Sequence, residues 1–269
     1  MAVPYKAPVK DIVFGYEVID SYNVLNKISA FSDFSEDIVI PTMEECAKFS
    51  EEVLAPINAI GDQQGATIKD GVVTMPEEFV DAYQKFAEAG WASISLPSDI
   101  GGGGMPITLS GGTLEILSTA NLAFGLAPGL SAGAISAINF HGSQEQKDKF
   151  LPKLVSGEWT GTMNLSEPQS GSDLGTITTK AEPQEDGSYK ITGTKVWITF
   201  GEHNMTENII HLVLAKVPGS PEGTKGISMF IVPKYTVNDD GSVGDSNNVS
   251  CISIEEKLGI HASPTCVME

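Results

Sequence analysis

Apolar residues in the first half of the chain recur every three or four positions, which is the spacing of one helix face. The pattern predicts a helix over residues 42–60, opened by a capping box of Thr42 and Glu45, with Pro41 just before it. Residues 1–34 have no such regular pattern. They predict an extended lead-in with one or two short helices.

Two further helical stretches follow. Residues 75–89 begin with a second capping box, Thr74 and Glu77, and predict an amphipathic helix. Residues 106–140 are apolar and rich in Ala, Gly and Ser. We expect two closely packed helices there, joined near residues 127–129, where Pro and Gly interrupt the pattern.

A last helix is predicted between Ser143 and Gly157. Ser143 and Gln146 form its capping box, and Gly157 stands where a C-terminal cap glycine belongs. His141, just before this helix, is expected to be a cap or surface residue. Together these elements predict an all-α helical bundle over residues 35–157.

The pattern changes after Gly157. Short β-rich runs alternate with turn residues, and Asp186-Gly187 is the sharpest hairpin signal. Residues 158–269 therefore predict an all-β antiparallel domain, a barrel or a sandwich, and the whole chain an α+β multidomain protein. The last run breaks off at Glu269 inside an apparent strand, so we expect the natural protein to continue beyond it.

The charge of the chain excludes two classes of partner. There are 35 acidic and 16 basic residues, a formal net charge of −19, and every basic residue is a lysine. A nucleic-acid surface needs a basic patch, and an anionic membrane repels an acidic chain. We therefore expect neither as a partner. Phosphates would have to be held by lysine, by backbone amides or by another part of the protein.

The three cysteines, Cys46, Cys251 and Cys266, are scattered along the chain. Their number and spacing fit neither a disulfide framework nor a metal site. They predict reduced thiols, no bound metal and a cytoplasmic protein. We find no signal peptide, and no apolar run is interpreted as a membrane span.

Two stretches in the β-rich half carry the candidate chemistry. MNLSEPQSGS (163–172) ends an apolar run in a small polar loop, and KVWIT (195–199) places an aromatic ring beside a hydroxyl. Together they indicate a flat polar ligand, held at its edge and covered by the Trp197 indole. The alternative is a surface turn and a core tryptophan. The glycine run DIGGGG (99–104) lacks the rest of a phosphate loop and is expected to be a connector.

These motifs, in this order, resemble the acyl-CoA dehydrogenase family. The resemblance rests on KLVSGEW (153–159) at the end of the helical half, followed by SEPQSGSD (166–173), GTKVWIT (193–199) and KLGIHASPT (257–265). It covers nearly the whole chain and implies the N-terminal helical and middle β-barrel domains of that family. FGEHN (200–204) is similar to the longer bacterial branch, which includes 3-methylmercaptopropionyl-CoA dehydrogenases.

The resemblance implies that the chain binds FAD and acyl-CoA. In this family of the β-oxidation type, a carboxylate base takes the α proton of an acyl-CoA thioester while the β hydrogen leaves as hydride to the flavin. Ser166 stands where the family usually has threonine, and Gln169-Ser170 replaces a common Gly-Ala pair. Ser172 is also expected to meet the substrate, at the pantetheine arm of CoA. The implied cofactor-binding residues are Met163, Leu165, Ser166, Gly171, Ser172, Trp197, Ile198 and Thr199.

No catalytic residue is predicted within the chain. Glu167, before Pro168, is expected to fix the turn, and Asp173 to cap the next backbone segment. The base of the family lies in a C-terminal helical domain, which we expect to be absent here. The resemblance also implies an electron-transfer flavoprotein or a similar electron acceptor as partner, and a homo-oligomer for the full-length protein.

Two alternative functions share this fold. An acyl-CoA oxidase-like flavoenzyme would pass its electrons to oxygen, and a non-catalytic module would bind acyl-CoA or flavin without turnover. Access of oxygen to the flavin would distinguish the oxidase from the dehydrogenase. A stop codon directly after Glu269 in the intact open reading frame would favour the non-catalytic module. The isolated 269-residue chain is expected to bind FAD weakly or not at all, because about half of the site would lie outside it.

Overall fold

The computed structural model describes residues 4–269, so the first three residues of the predicted lead-in lie outside the described residues. The helical half forms one apolar core, in which Phe124 packs against Phe79 and Phe86 with ring centroids 6.4 and 5.6 Å apart. The α-helices are α1 Val9–Val18, α2 Ser21–Leu25, α3 Glu36–Phe49, α4 Ala55–Gln64, α5 Glu77–Glu88, α6 Ile107–Ala120, α7 Leu122–His141 and α8 Gln144–Ser156.

The helix predicted over residues 42–60 begins earlier and contains a break. α3 starts at Glu36, so Thr42 lies inside it and donates its hydroxyl to the Ile38 carbonyl at 2.7 Å. The predicted capping box is therefore wrong, because the same Thr-x-x-Glu spacing also occurs within a helix. A π-helical turn, Ser50–Leu54, then joins α3 to α4. Pro56 falls in the first turn of α4, directly after the π-helical turn.

α5 forms where a helix was predicted, but without the predicted capping box. Thr74 ends a strand, and α5 begins at Glu77 directly after Pro76, with no side-chain cap. At the other end, Gly90 has a φ of 75°, the left-handed conformation expected of a cap glycine.

The junction of α6 and α7 lies at Asn121 and not at residues 127–129. Its Oδ1 accepts from the Phe124 N–H at 3.1 Å and its Nδ2 donates to the Leu54 carbonyl at 3.2 Å, so it caps α7 within the core. Pro128 is accommodated inside the 20-residue helix. By length and composition α7 could cross a membrane, which the sequence interpretation missed by dividing it in two. Its buried residues pack within the protein.

α8 has both predicted end signals. The Ser143 hydroxyl accepts from the Gln146 N–H at 3.2 Å, and the Gln146 side chain accepts from the Ser143 N–H at 2.9 Å. Gly157 ends the helix with a φ of 81°. His141 is exposed in the last turn of α7, as expected.

The second half of the chain is built from β-strands, which confirms the predicted fold class. A hairpin also precedes α5, at β1 and β2, within the helical half. The strands are β1 Thr67–Lys69, β2 Val72–Thr74, β3 Trp159–Asn164, β4 Lys180–Pro183, β5 Tyr189–Thr192, β6 Lys195–Thr199, β7 Asn208–Lys216, β8 Ile227–Pro233, β9 Tyr235–Val237, β10 Val243–Ser246, β11 Cys251–Glu255 and β12 Thr265–Met268.

Two main sheets make up the β-rich half. One has the order β3-β7-β4-β5, with β8 also paired to β7, and the other has the order β11-β12-β6. Most pairings are antiparallel, including the β4–β5 hairpin at Asp186-Gly187. β3 and β4, however, both pair with β7 in parallel, so the larger sheet is mixed. A strand pattern sets the side-chain faces but not the direction of the neighbouring strand.

The helical half packs on the larger sheet through α7. The Gly161 N–H on β3 donates to the Ser131 hydroxyl at 3.0 Å. A Cβ on Gly161 would lie only 2.4 Å from the Ala134 side chain, so glycine is needed for this close approach. β3, which leads into the first candidate motif, is thereby fixed directly against α7.

Candidate functional site

The structure brings the two candidate stretches side by side. The Val196 N–H donates to the Ser166 carbonyl at 2.9 Å, and the Lys195 ammonium donates to the Leu165 carbonyl at 3.0 Å. The loop after β3 is therefore joined along its edge to β6. The pairing inferred from sequence, between residues 163–172 and 195–199, exists as a contact.

The Ser-Glu-Pro segment forms a tight turn, as predicted. Glu167 and Ser170 exchange two backbone hydrogen bonds of 2.9 Å. The Ser170 hydroxyl then donates to the Asp173 carbonyl at 2.7 Å. Asp173 accepts from the Gly175 N–H at 3.0 Å and thus caps the following 3-10 turn. The turn is thus closed by hydrogen bonds on both sides of Gly171 and Ser172, which are exposed.

The Glu167 carboxylate is buried at the base of this turn. It accepts hydrogen bonds from Lys195 (2.9 Å), Gln169 (2.7 Å) and the Thr178 and Thr179 amides and hydroxyls (2.6–3.1 Å). Desolvation by burial raises its pKa, but the hydrogen bonds from Lys195, Thr178, Thr179 and Gln169 outweigh this and lower the pKa to about 2. A carboxylate that is ionised at neutral pH and fully hydrogen-bonded is a structural anchor, not a proton acceptor for a substrate.

Trp197 is not a core tryptophan. Its side chain is 54% exposed, whereas Trp159 is fully buried. The alternative of a buried structural Trp197 is therefore wrong. Trp197 has a φ of 60°, which is rare for a bulky residue and costs about 1–3 kcal/mol.

A β-bulge explains this exposure. β6 pairs with β12 at Cys266–Ile198 and at Met268–Lys195, and the register shifts between the two. In a regular strand Lys195 and Trp197 would share one face. Here Lys195 is buried and Trp197 is exposed. Bulges of this kind change the direction in which side chains point and often lie beside active sites.

The other predicted site residues fall into three groups by exposure. Met163, Leu165, Ser166 and Thr199 are half-buried, and Gly171 and Ser172 are exposed. Ile198 is buried in a small apolar cluster with Cys266 and Met268. A flat ligand against Trp197 would thus meet the Ile198 backbone only. The ligand contacts of all eight residues remain predictions.

Sequence reasoning missed a second buried ion pair, which follows β6. Glu202 lies 2.5 Å from Lys234, and both side chains are largely buried. Burial raises the pKa of Glu202, and the hydrogen bond from Lys234 opposes this shift. The signal in the sequence is a single Glu in an otherwise uncharged run, FGEHNM, and it has no partner nearby in sequence.

Buried polar side chains also form a hydrogen-bonded network between β3 and β7. The Thr162 hydroxyl contacts His211 Nδ1 at 2.7 Å and donates to the Asn164 side chain at 2.9 Å. His211 Nε2 has no partner among residues 4–269. Burial, with a smaller repulsion from Lys234, lowers the pKa of His211 to about 3, so the ring is neutral.

A cavity borders these polar side chains and does not include Trp197. Its volume is about 940 Å³, and its walls include Asn164, Lys195 and His211. Trp197 and Ser172 are not part of its lining. Asn164 and Lys195 thus connect the two motifs to the cavity wall, whereas Trp197 and Ser172 are exposed outside it. Within the described part of the chain, no group of three His, Cys, Asp or Glu residues could hold a metal ion.

Two family profiles match this architecture. The N-terminal domain of acyl-CoA dehydrogenases matches residues 41–158, and the middle domain of acyl-CoA dehydrogenases matches residues 162–269. The chain therefore belongs to the acyl-CoA dehydrogenase family and contains its N-terminal and middle domains.

Individual relatives agree with this assignment. The chain is 45% identical over 265 residues to 3-methylmercaptopropionyl-CoA dehydrogenase of Ruegeria pomeroyi, covering 98% of this chain and 45% of that protein. It is 39% identical over 266 residues to a butyryl-CoA dehydrogenase of Syntrophomonas wolfei, covering 97% and 43%. The chain thus spans less than half the length of these relatives.

A solved structure gives the same fold. An acyl-CoA dehydrogenase from Bacillus anthracis, complexed with FAD, superposes with a TM-score of 0.69 at 25% identity. The match covers 88% of this chain and 36% of that chain.

Proposed function

We propose that this chain forms the flavin-edge and thioester-binding part of an acyl-CoA dehydrogenase, which uses FAD to desaturate an acyl-CoA between its α and β carbons. The observation that carries the proposal is the Trp197 indole, exposed in a left-handed bulge beside the Ser166 loop. Membership of the acyl-CoA dehydrogenase family supports it.

The residues present fit one part of FAD. Trp197 offers an open flat face, and Ser166 and Thr199 offer half-buried hydroxyls that suit the polar edge of a flavin ring. The chain has no arginine, so its pyrophosphate contacts would use lysine, backbone amides or residues outside this chain. When bound, FAD supplies the hydride acceptor. The protein's part is to hold the ring flat and to direct donors at its edge.

The α-proton acceptor is proposed to lie outside this chain, in a C-terminal domain. The turn supplies two carboxylates for comparison, and neither is suitable. Glu167 is buried and accepts hydrogen bonds from the donors around it, and the Asp173 carboxylate accepts a hydrogen bond from the Gly175 N–H. The matched relatives are more than twice as long as the region they share with this chain, which gives room for such a domain.

For the substrate we propose a short acyl-CoA thioester. The two relatives above are named for 3-methylmercaptopropionyl-CoA and butyryl-CoA, and both acyl groups are short. We further propose an electron-transfer flavoprotein or a similar protein as electron acceptor, a homo-oligomeric assembly and a cytoplasmic location. The three free, buried thiols are compatible with a reducing compartment.

The test is a panel of acyl-CoA thioesters, assayed with the full natural protein and a dye electron acceptor. We expect stoichiometric flavin absorbance, and faster dye reduction with 3-methylmercaptopropionyl-CoA and butyryl-CoA than with long-chain thioesters. Turnover with oxygen at the rate seen with the dye would favour an oxidase. Flavin binding without any turnover would favour a non-catalytic module. A protein without flavin would refute the proposal.

A further inference from the structure

The backbone around Trp197 is held in an unusual conformation. Trp197 and Phe200 have φ values of 60° and 52°, although neither is glycine. Residues in this region relax unless the surrounding structure fixes the chain on both sides. Contacts before and after the segment Trp197–Thr199 therefore decide how the indole and the Thr199 hydroxyl are presented.

One fixing contact comes before this segment. The buried Lys195 ammonium donates to the Leu165 carbonyl and to Glu167 Oε1, at 3.0 and 2.9 Å. The Val196 N–H adds a bond to the Ser166 carbonyl. These contacts tie the start of β6 to the first motif.

The second fixing contact comes after the segment and lies outside both motifs. Glu202 Oε1 is 2.5 Å from Lys234 Nζ, and the two side chains are only 3% and 16% exposed. Lys234 directly follows β8, and its N–H donates to the Ile209 carbonyl on β7 at 2.8 Å. The pair therefore anchors the chain after β6 to the larger sheet.

The chain between the segment and Glu202 has little room to move. The Phe200 N–H donates to the Pro264 carbonyl at 2.7 Å. A Cβ on Gly201 would lie 3.0 Å from each of three neighbouring side chains. Glu202 is therefore joined to Trp197 through a short, tightly packed segment, and we expect a change at Glu202 to affect the position of the indole.

We propose that Glu202 and Lys234 are positioning residues for Trp197, and that their buried ion pair fixes the tilt of the indole and the place of the Thr199 hydroxyl. This inference rests on the proposed function, because a bound flavin is what the indole would cover. Removing either partner leaves the other charge largely buried and unpaired, and it also removes the contact that holds the chain after β6 against the larger sheet.

The test compares Glu202→Gln with Glu207→Gln in the full natural protein loaded with FAD. Glu207 is a matched control, because its side chain is 61% exposed and its carboxylate is 3.7 Å from Lys153. For Glu202→Gln we expect an altered visible spectrum of the bound flavin and flavin reduction slowed by about tenfold, with KM nearly unchanged. Glu207→Gln should match the wild type in spectrum, rate and KM.

Three further variants make the test independent of one substitution. Lys234→Met removes the other partner and should alter the spectrum and rate in the same direction. Glu202→Gln combined with Lys234→Gln replaces the ion pair by a neutral hydrogen-bonded pair and should restore most of the rate. In a Trp197→Phe background, Glu202→Gln should have a smaller effect, because both substitutions act through the same ring.

The outcomes separate the two proposals. If the wild type binds FAD and desaturates acyl-CoA while Glu202→Gln and Lys234→Met keep wild-type spectra and rates, the positioning role is wrong and the proposed function stands. Additive effects of Trp197→Phe and Glu202→Gln would also overturn the positioning role. A wild-type protein that binds no flavin overturns both.

Discussion

At the residue scale, Glu167 shows how a carboxylate in a functional motif can be wholly structural. It faces Lys195 and the Thr178 and Thr179 donors, and its side chain is 2% exposed. These contacts connect the first motif, β6 and the segment leading to β4. Substituting Glu167 should therefore affect folding before it affects chemistry.

Glu167→Gln should lower the free energy of unfolding at neutral pH by about 3–5 kcal/mol, because Lys195 is left buried without its partner. The pKa of Glu167 is lowered from 4.5 to about 2 in the folded protein. Its contribution is thus complete above pH 4.5 and is lost as the pH falls to about 2. Urea unfolding across this range should show the wild type and variant converging in acid. The exposed Glu185→Gln should behave as wild type at every pH.

Trp197 allows the backbone and the indole to be tested separately. Trp197→Ala and Trp197→Asn both remove the ring, and both should lower the FAD content of the full natural protein. Asparagine accepts a left-handed φ better than alanine, so Trp197→Asn should be the more stable variant by about 1 kcal/mol. Thermal unfolding and flavin absorbance measure the two effects. Equal stabilities would contradict the strained backbone, and unchanged flavin content would contradict the role of the ring.

A site variant without a backbone effect completes this comparison. Ser166→Ala should lower flavin occupancy or turnover with little change in stability, because the hydroxyl is half-buried and the backbone contact to Val196 is kept. Full flavin content and turnover in this variant would remove Ser166 from the proposed site.

At the element scale, β6 shows where a sequence pattern stops being informative. The β-rich run KVWIT predicted a strand, and β6 covers those same residues. The bulge opposite β12 depends on residues 265–268, far away in sequence. The capping boxes predicted at Thr42 and Thr74 were wrong for a similar reason, because local spacing does not fix where a helix begins. α3 begins at Glu36, so Thr42 lies inside it, and Thr74 is the last residue of β2. The box at Ser143 was right.

The contact between α7 and β3 can be tested with two glycines. Gly161→Ala should destabilise the protein by about 1–3 kcal/mol, because the new Cβ would collide with Ala134. Gly133→Ala, on α7 itself, meets nothing within 4 Å and should stabilise the protein by about 0.5–1 kcal/mol. Chemical denaturation measures both. Effects of the same sign would contradict the close approach of α7 to β3.

At the scale of the whole molecule, the division into a helical half and a β-rich half was predictable from the change of pattern after Gly157. The neighbourhood of the two motifs was also predictable, because their order and spacing resemble a known family. The parallel pairing of β3 with β7 and the Glu202–Lys234 ion pair were not. Both depend on residues that meet only in the folded chain.

The open position of Trp197 leads to a prediction for the 269-residue chain on its own. Under the proposed function it should bind FAD far more weakly than a protein that also contains the proposed C-terminal domain, because the indole face is exposed and the chain supplies no arginine for the pyrophosphate. Flavin absorbance after purification, compared between the two proteins at equal concentration, measures the difference. Equal flavin content would show that these two domains hold the cofactor unaided.

The parallel pairing of β3 with β7 also sets an order of assembly. Thr162 and His211 are 49 residues apart in sequence, and their strands become neighbours only after the whole β4–β6 region has emerged. Pairings of such long range form slowly, because the closure of a long loop precedes the contacts that stabilise it. The bulge at Trp197 also requires the pairing of β6 with β12, whose residues 265–268 come much later in the sequence. We therefore expect the Trp197 surface to be among the last parts of the domain to form, and flavin binding to begin only after β12 has paired with β6.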